Sequence, residues 1–401
     1  MRWSGAARMP QVGPLAILCA MLLLVGGTLL GTVTPARAVA DVGGPLPGLT
    51  PDELRRFEGG AVVFARIHGP DDGLGPVFNA QSCVECHAFP SAGGSDKTRS
   101  HLTTRVGRET GDRYDDLIDV GGPFITRRTV APLLPGCQIA SEKKPKAATA
   151  VSERQPLSLF GLGLVAAIPD ETLIAQAALQ QASGGDVAGR VNRIDGRVGR
   201  FGSKAQFPTL EASVADALRN ELGITNPILP DEKPTSQPPD PACDLRQDPE
   251  DDGAAIAMLA DYLTRLAPPP RGPVGAAEQR GETIFQEVGC SGCHVPSLRT
   301  GPSPIAALSE RDVPLYSDLL IHDMGEYVAD GIRQGEAGGS DWRTPPLWGV
   351  GRRLWFLHDG RATDLRTVLE LHNGEAKASR DRLFKRPRND LQDVLTFLRS
   401  L

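Results

Sequence analysis

Apolar residues recur at helical spacing in three segments of the chain, at residues 209–222, 256–266 and 390–401. In each segment they fall on one face, which is the pattern of a helix that packs on a core. Gly223 follows the first segment and three prolines from Pro268 follow the second, so both helices have clear end signals. Alternating apolar and polar positions, which are typical of strands, are scarce. The pattern therefore predicts a mainly α fold.

The start of a further helix is marked near residue 50. Thr50 can cap a helix, Pro51 suits the first helical position, and Glu53 stands where it completes a capping box. We therefore predict a helix that begins at Pro51 and leads toward the first of two cysteine motifs.

Glycine and proline are frequent, with 45 and 34 residues, and they favour long loops between the helices. Residues 225–248, which are rich in Pro and Asp, are predicted to form one such loop. A chain of 401 residues suits two domains of ordinary size. The prolines that start at Pro268 mark the predicted boundary between an N-terminal domain, residues 39–268, and a C-terminal domain, residues 269–401.

The first 38 residues have the pattern of a secretory signal peptide. Arg2 and Arg8 precede an uncharged apolar run at residues 15–33, and the small residues around Arg37 suit a signal peptidase. The predicted mature chain begins near Val39. An uncleaved membrane anchor is the alternative, because the apolar run approaches the length that spans a bilayer.

The charge of the chain excludes one class of partner. Residues 1–38 contain three arginines and no acidic residue, so removing them changes the net charge from −6 to −9. An acidic protein repels phosphate, and a nucleic-acid partner is therefore not expected. After residue 38 the chain has no apolar run long enough for a second span, so the mature protein is predicted to be free in the periplasm with no membrane span.

Two copies of one cysteine motif occur, Cys-Val-Glu-Cys-His at residues 83–87 and Cys-Ser-Gly-Cys-His at residues 290–294. Two cysteines at this spacing can bond to the vinyl groups of one heme, and the next histidine can bind its iron. Zinc and redox alternatives explain the motif less well, since zinc needs further close ligands and a redox pair does not need the histidine. The predicted attachment residues for two covalent hemes c are Cys83, Cys86, Cys290 and Cys293, with His87 and His294 as iron ligands.

Cys137 and Cys243 are the cysteines that remain after the motifs and the leader are set aside. In an oxidising compartment two such thiols are expected to pair, which would close a loop of about 106 residues. The alternative is two free buried thiols.

Several longer segments resemble the bacterial di-heme oxidoreductases, also labelled thiol oxidoreductases, which are related to the di-heme cytochrome c peroxidases. The segments are Gly-Pro-Val-Phe-Asn at 75–79, Gly-Leu-Gly-Leu-Val-Ala-Ala-Ile-Pro-Asp at 161–170, Leu-Tyr-Ser-Asp-Leu-Leu-Ile-His-Asp-Met-Gly at 315–325, Trp-Arg-Thr-Pro-Pro-Leu-Trp-Gly at 342–349 and His-Asp-Gly-Arg-Ala at 358–362. The resemblance runs from about residue 50 to the C-terminus. It implies two tandem cytochrome c-like domains with long loops.

The resemblance also implies a second ligand for the C-terminal iron. In the related peroxidases this ligand follows a His-x-Gly stretch by fourteen positions, which corresponds to His358 and His372 here. Those peroxidases have methionine at the second position, so the histidine is a departure from their pattern. His294 and His372 together would lower the iron's potential relative to a His/Met pair. A histidine at a helix end is the alternative for His372.

At the N-terminal heme, His101 follows His87 by fourteen positions, close to where resting peroxidases place a removable ligand. The alternative is an open pocket lined by Arg105 and Glu109, with Arg127 or Arg128, which could move protons and stabilise charge on a bound peroxide. His101, Arg105 and Glu109 are therefore the candidate catalytic residues.

Two functional hypotheses remain open. In the first, the chain is an oxidoreductase that exchanges electrons with a small redox protein, and a small oxidant such as hydrogen peroxide, or a reduced sulfur compound, reacts at the N-terminal heme. In the second, both hemes are six-coordinate and the chain is an electron-transfer cytochrome or redox sensor. The resemblance also suggests a bound calcium ion, for which the sequence assigns no ligands.

Overall fold

The structure is a computed structural model that describes residues 41–111 and 113–401. The predicted signal peptide at residues 1–38 lies outside the described residues. The described chain belongs to one compact unit. Among its helices, none combines the length and the apolar character needed to cross a bilayer.

More of the described residues lie in helices than in strands, so the prediction of a mainly α fold is confirmed. The helices are α1 (Pro51–Ala65), α2 (Cys83–Cys86), α3 (Leu162–Ala166), α4 (Asp170–Ser183), α5 (Leu210–Leu222), α6 (Ala254–Arg265), α7 (Ala276–Glu287), α8 (Leu365–Leu371), α9 (Lys377–Phe384) and α10 (Arg388–Ser400).

The strands are short, and most pair in twos. They are β1 (Val77–Phe78), β2 (Thr103–Thr110), β3 (Arg113–Asp115), β4 (Phe124–Ile125), β5 (Arg128–Thr129), β6 (Ala150–Arg154), β7 (Arg193–Ile194), β8 (Arg197–Val198), β9 (Leu298–Arg299), β10 (Asp312–Val313), β11 (Ile321–Asp323) and β12 (Asp341–Arg343). The largest sheet has the order β3-β2-β4, and β6 also pairs with β2. The β2–β6 ladder is antiparallel and runs from Thr103 opposite Arg154 to Gly107 opposite Ala150.

The helices that the apolar pattern predicts are present with their end signals. The Thr50 hydroxyl accepts a hydrogen bond from the backbone N–H of Glu53, and the Glu53 side chain completes the capping box that begins α1. The Thr209 side chain caps α5 by accepting a hydrogen bond from the backbone N–H of Ala212. Gly223 ends α5 with a φ of 72°, a left-handed conformation that glycine adopts without strain.

Two large clusters of buried apolar residues form most of the core. The larger cluster packs α1, α3, α4, α5 and α6 together and also includes Leu298, Leu315 and Leu320. The smaller cluster packs α7 against α8, α9 and α10. The larger core therefore takes residues from both sides of Pro268, and the division into domains at residues 39–268 and 269–401 stays a prediction.

Cys137 and Cys243 form a disulfide bond, with their sulfurs 2.06 Å apart and 106 positions between them in sequence. Both side chains lie in the larger core cluster. The loop that this bond closes contains α3, α4 and α5.

Candidate heme-binding sites

The first cysteine motif lies at the short helix α2, and His87 follows directly after it. The His87 Nδ1–H donates to the backbone carbonyl of Gly94, with the two atoms 3.0 Å apart. This bond holds the imidazole in one tautomer and leaves Nε2 as the nitrogen that can bind a metal. Burial lowers the pKa of His87, which favours the neutral ring that a metal ligand requires.

A cavity of about 230 Å³ adjoins His87 and both cysteines of the motif. Its lining is mostly apolar and comes from distant parts of the chain, since α1, α5 and α6 all contribute. Apolar lining residues include Phe64, Leu159, Phe207, Val214, Leu218 and Leu263. A flat apolar cofactor joined to α2 fits a cavity of this chemistry.

Two buried arginines indicate whether a heme fits this cavity. Arg105 and Arg343 both line it, and each is only 8% exposed. Arg105 lies over the ring of Phe124 and pairs with no carboxylate of a described residue, while Arg343 Nη1 has no hydrogen-bond partner in the described structure. Burial lowers the pKa of both side chains to about 10, so both stay charged at neutral pH. Two buried guanidinium groups without carboxylate partners suit the two propionates of a heme.

Two acidic residues of α5, Asp216 and Glu221, line the same cavity. Burial, opposed by the hydrogen bond from Asn79 and helped by the nearby carboxylate of Asp216, raises the pKa of Glu221 to about 7. The Asn79 amide donates to Glu221 Oε2 at 2.7 Å and orients the group. A carboxyl with this pKa can both hold and release a proton near neutral pH.

The second cysteine motif lies at a short 3-10 helix, Cys290–Gly292, that follows α7. The His294 Nδ1–H donates to the carbonyl of Tyr316 at 3.0 Å, and the His372 Nδ1–H donates to the carbonyl of Val368 at 2.7 Å. Both rings therefore keep Nε2 for a metal, as His87 does. Burial lowers the pKa of His294 to about 4 and also lowers the pKa of His372, so both rings are neutral.

The rings of His294 and His372 have their centroids 6.5 Å apart. A metal–imidazole bond is about 2 Å long, and the bonding nitrogen lies about 1 Å from the ring centre, so one metal ion bound by two imidazoles needs roughly 6 Å between centroids. The two histidines are thus spaced for one iron between them. His372 is the C-cap residue of α8, and the helix presents its ring opposite His294.

His322 is buried beside Cys293, with its Nδ1 3.6 Å from the cysteine sulfur. Its Nε2 donates to Asp318 at 2.9 Å and its Nδ1 donates to Glu375 at 2.7 Å. Burial alone would lower the pKa of His322, but the hydrogen bonds to Asp318, Cys293 and Glu375 raise it to about 12. Because both ring nitrogens donate to carboxylates, His322 is a buried cation and has no nitrogen left for a metal.

His358 stacks on Trp342, with the ring centroids 4.1 Å apart and the planes at 14°. Lys204 Nζ lies 4.2 Å from the centroid of the same tryptophan. Burial lowers the pKa of His358 to about 4, so its ring is neutral. His358 is therefore a packing partner of Trp342.

The three candidate catalytic residues are not brought together. Arg105 lines the cavity, but Glu109 is 47% exposed at its side chain and pairs with Arg333. His101 lies beside two carboxylates, with Nδ1 3.3 Å from Asp96 and Nε2 3.7 Å from Glu85. Arg105 and Glu109 lie four positions apart on β2, and a rise of about 3.3 Å per residue moves Glu109 about 13 Å along the strand, away from the cavity.

The alternative pocket residues Arg127 and Arg128 also form surface pairs. Arg127 pairs with Glu153 and Arg128 with Glu85.

The sequence did not predict three residues that line the cavity, Asp216, Glu221 and Arg343. A signal was present in α5, because Glu221 lies three positions after Leu218 and seven after Val214, on the apolar face of the helix. A carboxylate on such a face is a buried group that needs an explanation.

Residues 141–401 match a family model described as "Di-haem oxidoreductase, putative peroxidase". No curated protein matches the chain. Among solved structures, the chain is similar to hydrazine synthase of Kuenenia stuttgartiensis (14% identity, 97% of this chain and 100% of that chain, TM-score 0.40), the diheme peroxidase BthA of Burkholderia thailandensis (15%, 92% and 93%, 0.39) and a MauG-like protein associated with microbial copper homeostasis (15%, 89% and 92%, 0.38). At these TM-scores the likeness supports neither a shared site nor a shared substrate.

Proposed function

Because this chain belongs to the di-haem oxidoreductase family and is an oxidoreductase, we propose that it reduces a small oxidant such as hydrogen peroxide in the cavity beside His87. The observation that carries the proposal is the pair of unpaired buried arginines and the titratable Glu221 in one largely apolar cavity. An electron-transfer cytochrome has no need for a buried acid that titrates near neutral pH.

Two covalent hemes c are part of the proposal. Thioether bonds to the cysteines of each motif would hold them, with His87 as ligand of the first iron, and with His294 and His372 as ligands of the second. Arg105 and Arg343 would bind the propionates of the first heme. When bound, the hemes supply the electron-transfer chemistry, and the polypeptide supplies ligands, charge and proton transfer.

The residues of the cavity have distinct roles in this mechanism. Asn79 holds Glu221 Oε2 and so leaves Oε1 to carry the proton that a reduced oxidant must take up. Asp216, on the same helix, keeps the pKa of Glu221 high and makes the proton easy to hold. Arg105 would be compensated by a heme propionate and so helps to hold the cofactor, which leaves Glu221 as the group that acts on the oxidant.

The C-terminal site has a different task. His294 and His372 would both bind the second iron, so this site would store or pass electrons and would not take a substrate. A small redox protein outside the chain is the proposed electron partner. His101 is not among the described residues that line the cavity, which supports an N-terminal site that is open to the oxidant.

The remaining parts of the proposal concern location and organisation. Residues 1–38 would direct export to the periplasm, and the disulfide between Cys137 and Cys243 supports an oxidising compartment. Two tandem cytochrome c-like domains, residues 39–268 and 269–401, would each carry one heme. A reduced sulfur compound is the second class of substrate, and calcium is a further proposed cofactor.

The test is peroxide-dependent oxidation of a reduced small cytochrome by the purified di-heme protein, measured for Glu221→Gln and Glu109→Gln. The two variants carry the same substitution, one in the cavity and one on the surface. We expect Glu221→Gln to lower kcat/KM by about 10²- to 10⁴-fold, the usual size of a general-acid effect, and Glu109→Gln to leave it within about twofold.

Equal effects of the two substitutions would remove Glu221 from the mechanism. If the wild-type protein turns over no peroxide and electron paramagnetic resonance finds both irons low-spin in every redox state, the chain is an electron-transfer cytochrome or sensor. His101→Ala gives a further check, because a new high-spin signal in that variant would mean that His101 closes the site after all.

A further inference from the structure

Three hydrogen-bonded ionisable side chains, Asp318, His322 and Glu375, lie against the second cysteine motif, and we call them the His322 triad. The His322 Nε2–H donates to Asp318 Oδ2 at 2.9 Å, and its Nδ1–H donates to Glu375 Oε2 at 2.7 Å. The side chains of Asp318 and His322 are 0% and 2% exposed, and that of Glu375 is 13% exposed. One cation between two carboxylates gives the triad one excess negative charge in the protein interior.

Both carboxyl groups of the triad are held in the ionised form. Burial alone would raise the pKa of Glu375, but its hydrogen bonds, first of all the one from His322, lower it. Asp318 Oδ2 accepts from His322 and from the Gln180 amide at 2.8 Å, and Asp318 Oδ1 accepts from the backbone N–H of Leu320 at 3.0 Å. Because both oxygens of Asp318 accept hydrogen bonds, the arrangement stabilises its charged form.

The triad contacts both the backbone and the side chains of the second cysteine motif. The backbone N–H of Asp318 donates to the carbonyl of Cys293 at 2.9 Å. The Gln180 amide, which donates to Asp318, also donates to the carbonyl of Gly292 at 2.8 Å. His322 Nδ1 lies 3.6 Å from the Cys293 sulfur. The charges of the triad therefore lie directly beside the predicted attachment point of the second heme.

The same triad is joined to the segment that carries the second proposed iron ligand. Glu375 follows His372 by three positions. Glu375 Oε1 accepts from the backbone N–H of Asp323 at 3.0 Å, and Glu375 Oε2 accepts from the backbone N–H of Ala188 at 2.8 Å. The carboxylate is thus fixed near His372 as well as near the cysteine motif.

Other charged groups near the triad have partners of their own. Arg343 of β12 interacts with Asp318 at longer range, which opposes the lowering of the Arg343 pKa by burial. Arg343 forms no ion pair with a carboxylate of the described chain, and we assign its charge to a propionate of the first heme. Asp341 of the same strand pairs with Arg190. The excess negative charge therefore stays with the triad.

We infer that the His322 triad holds the reduction potential of the C-terminal iron low, so that Asp318, His322 and Glu375 are positioning residues for electron transfer. The inference rests on the second heme of the proposed function. A negative charge in a site that excludes water stabilises the ferric iron more than the ferrous iron, because the ferric iron carries one more positive charge. A low potential at this site favours electron flow from it toward the cavity beside His87.

The experiment is a spectroelectrochemical titration of the purified di-heme protein without peroxide. Glu375→Gln removes one negative charge, so we expect the midpoint potential of the C-terminal iron to rise by about 59 mV or more, a tenfold change in the one-electron equilibrium constant. Glu375→Asp keeps the charge and should shift the potential by less than half as much. The control is Glu370→Gln, which changes an exposed side chain two positions before His372 and should leave the potential unchanged.

Electron paramagnetic resonance of the same variants separates an effect of charge from a loss of structure. We expect the C-terminal iron to stay low-spin in Glu375→Gln. An unchanged potential in this variant overturns the inference, and so does a high-spin signal, because Glu375 would then act by holding His372 in place. An equal shift in Glu375→Asp would likewise assign the effect to geometry. Peroxide turnover is measured separately, so a protein without turnover that shows the expected shift refutes the proposed substrate and supports the role of the triad.

Discussion

The disulfide between Cys137 and Cys243 offers a prediction whose size follows from the chain. Its two cysteines are 106 positions apart, and the loop between them contains α3, α4 and α5. In the chain-entropy account, a cross-link that closes a loop of 106 residues lowers the entropy of the unfolded chain enough to stabilise the fold by about 4.8 kcal/mol at 25 °C. Cys243 is only 1% exposed, so the bond lies in the core and leaves the surface unchanged.

The assay is urea unfolding of the purified di-heme protein, followed by far-UV circular dichroism for the wild type, Cys137→Ala, Cys243→Ala and the double variant. Each single substitution already removes the cross-link. We therefore expect all three variants to lose about the same free energy of unfolding, near 4.8 kcal/mol, with the double variant equal to the singles within about 1 kcal/mol.

Two results would refute this reasoning. If the single effects add in the double variant, the loss comes from packing of two separate side chains and the cross-link contributes little. If every variant stays within about 1 kcal/mol of the wild type, the unfolded chain is already compact around this loop and the entropy argument does not apply. Arg55→Ala, which removes an exposed ion pair on α1, is the control for a neutral surface change.

Two further predictions test the heme sites. His372→Ala should convert the low-spin signal of one iron into a high-spin signal in electron paramagnetic resonance, since His294 alone then remains, whereas His358→Ala should leave both signals unchanged because that ring stacks on Trp342. A wild-type spectrum for His372→Ala would mean that another residue binds the iron. Glu221 has a folded pKa of about 7, above its ordinary value of 4.5, so the folded chain keeps a proton that the unfolded chain releases between these values. Its contribution to stability therefore falls as the pH rises from about 4.5 to about 7, by an amount on the order of 3 kcal/mol. In urea unfolding, Glu221→Gln should weaken the pH dependence of the free energy of unfolding, whereas Glu109→Gln should keep the wild-type pH dependence. The same pH dependence in both variants would show that Glu221 is not the group responsible.

Local signals in the sequence were sufficient to predict the helices and to find the two cysteine motifs. The capping box at Thr50, the apolar face of α5 and the glycine that ends it depend on neighbours within one or two turns, and such short-range effects are readable from spacing. The motif at residues 83–87 is equally local, because the cofactor chemistry needs two cysteines and a histidine in one turn. The pairing of Cys137 with Cys243 followed from elimination and compartment, and the structure forms that bond.

The site itself was decided by tertiary structure. Glu109 looked suitable in sequence because it is near the first motif, but the extended strand β2 carries it to the surface. Glu221 and Arg343 are far from that motif in sequence, and α5 and β12 bring them to the same cavity.

The resemblance to a family identified His372, and the structure placed its ring 6.5 Å from that of His294, although 78 positions separate them. Sequence by itself therefore determined the helices and the two cysteine motifs that are proposed to attach heme, since these depend on spacing and caps between near neighbours. Only the tertiary structure decided which buried charges share the cavity, because that depends on which distant segments pack together and exclude water.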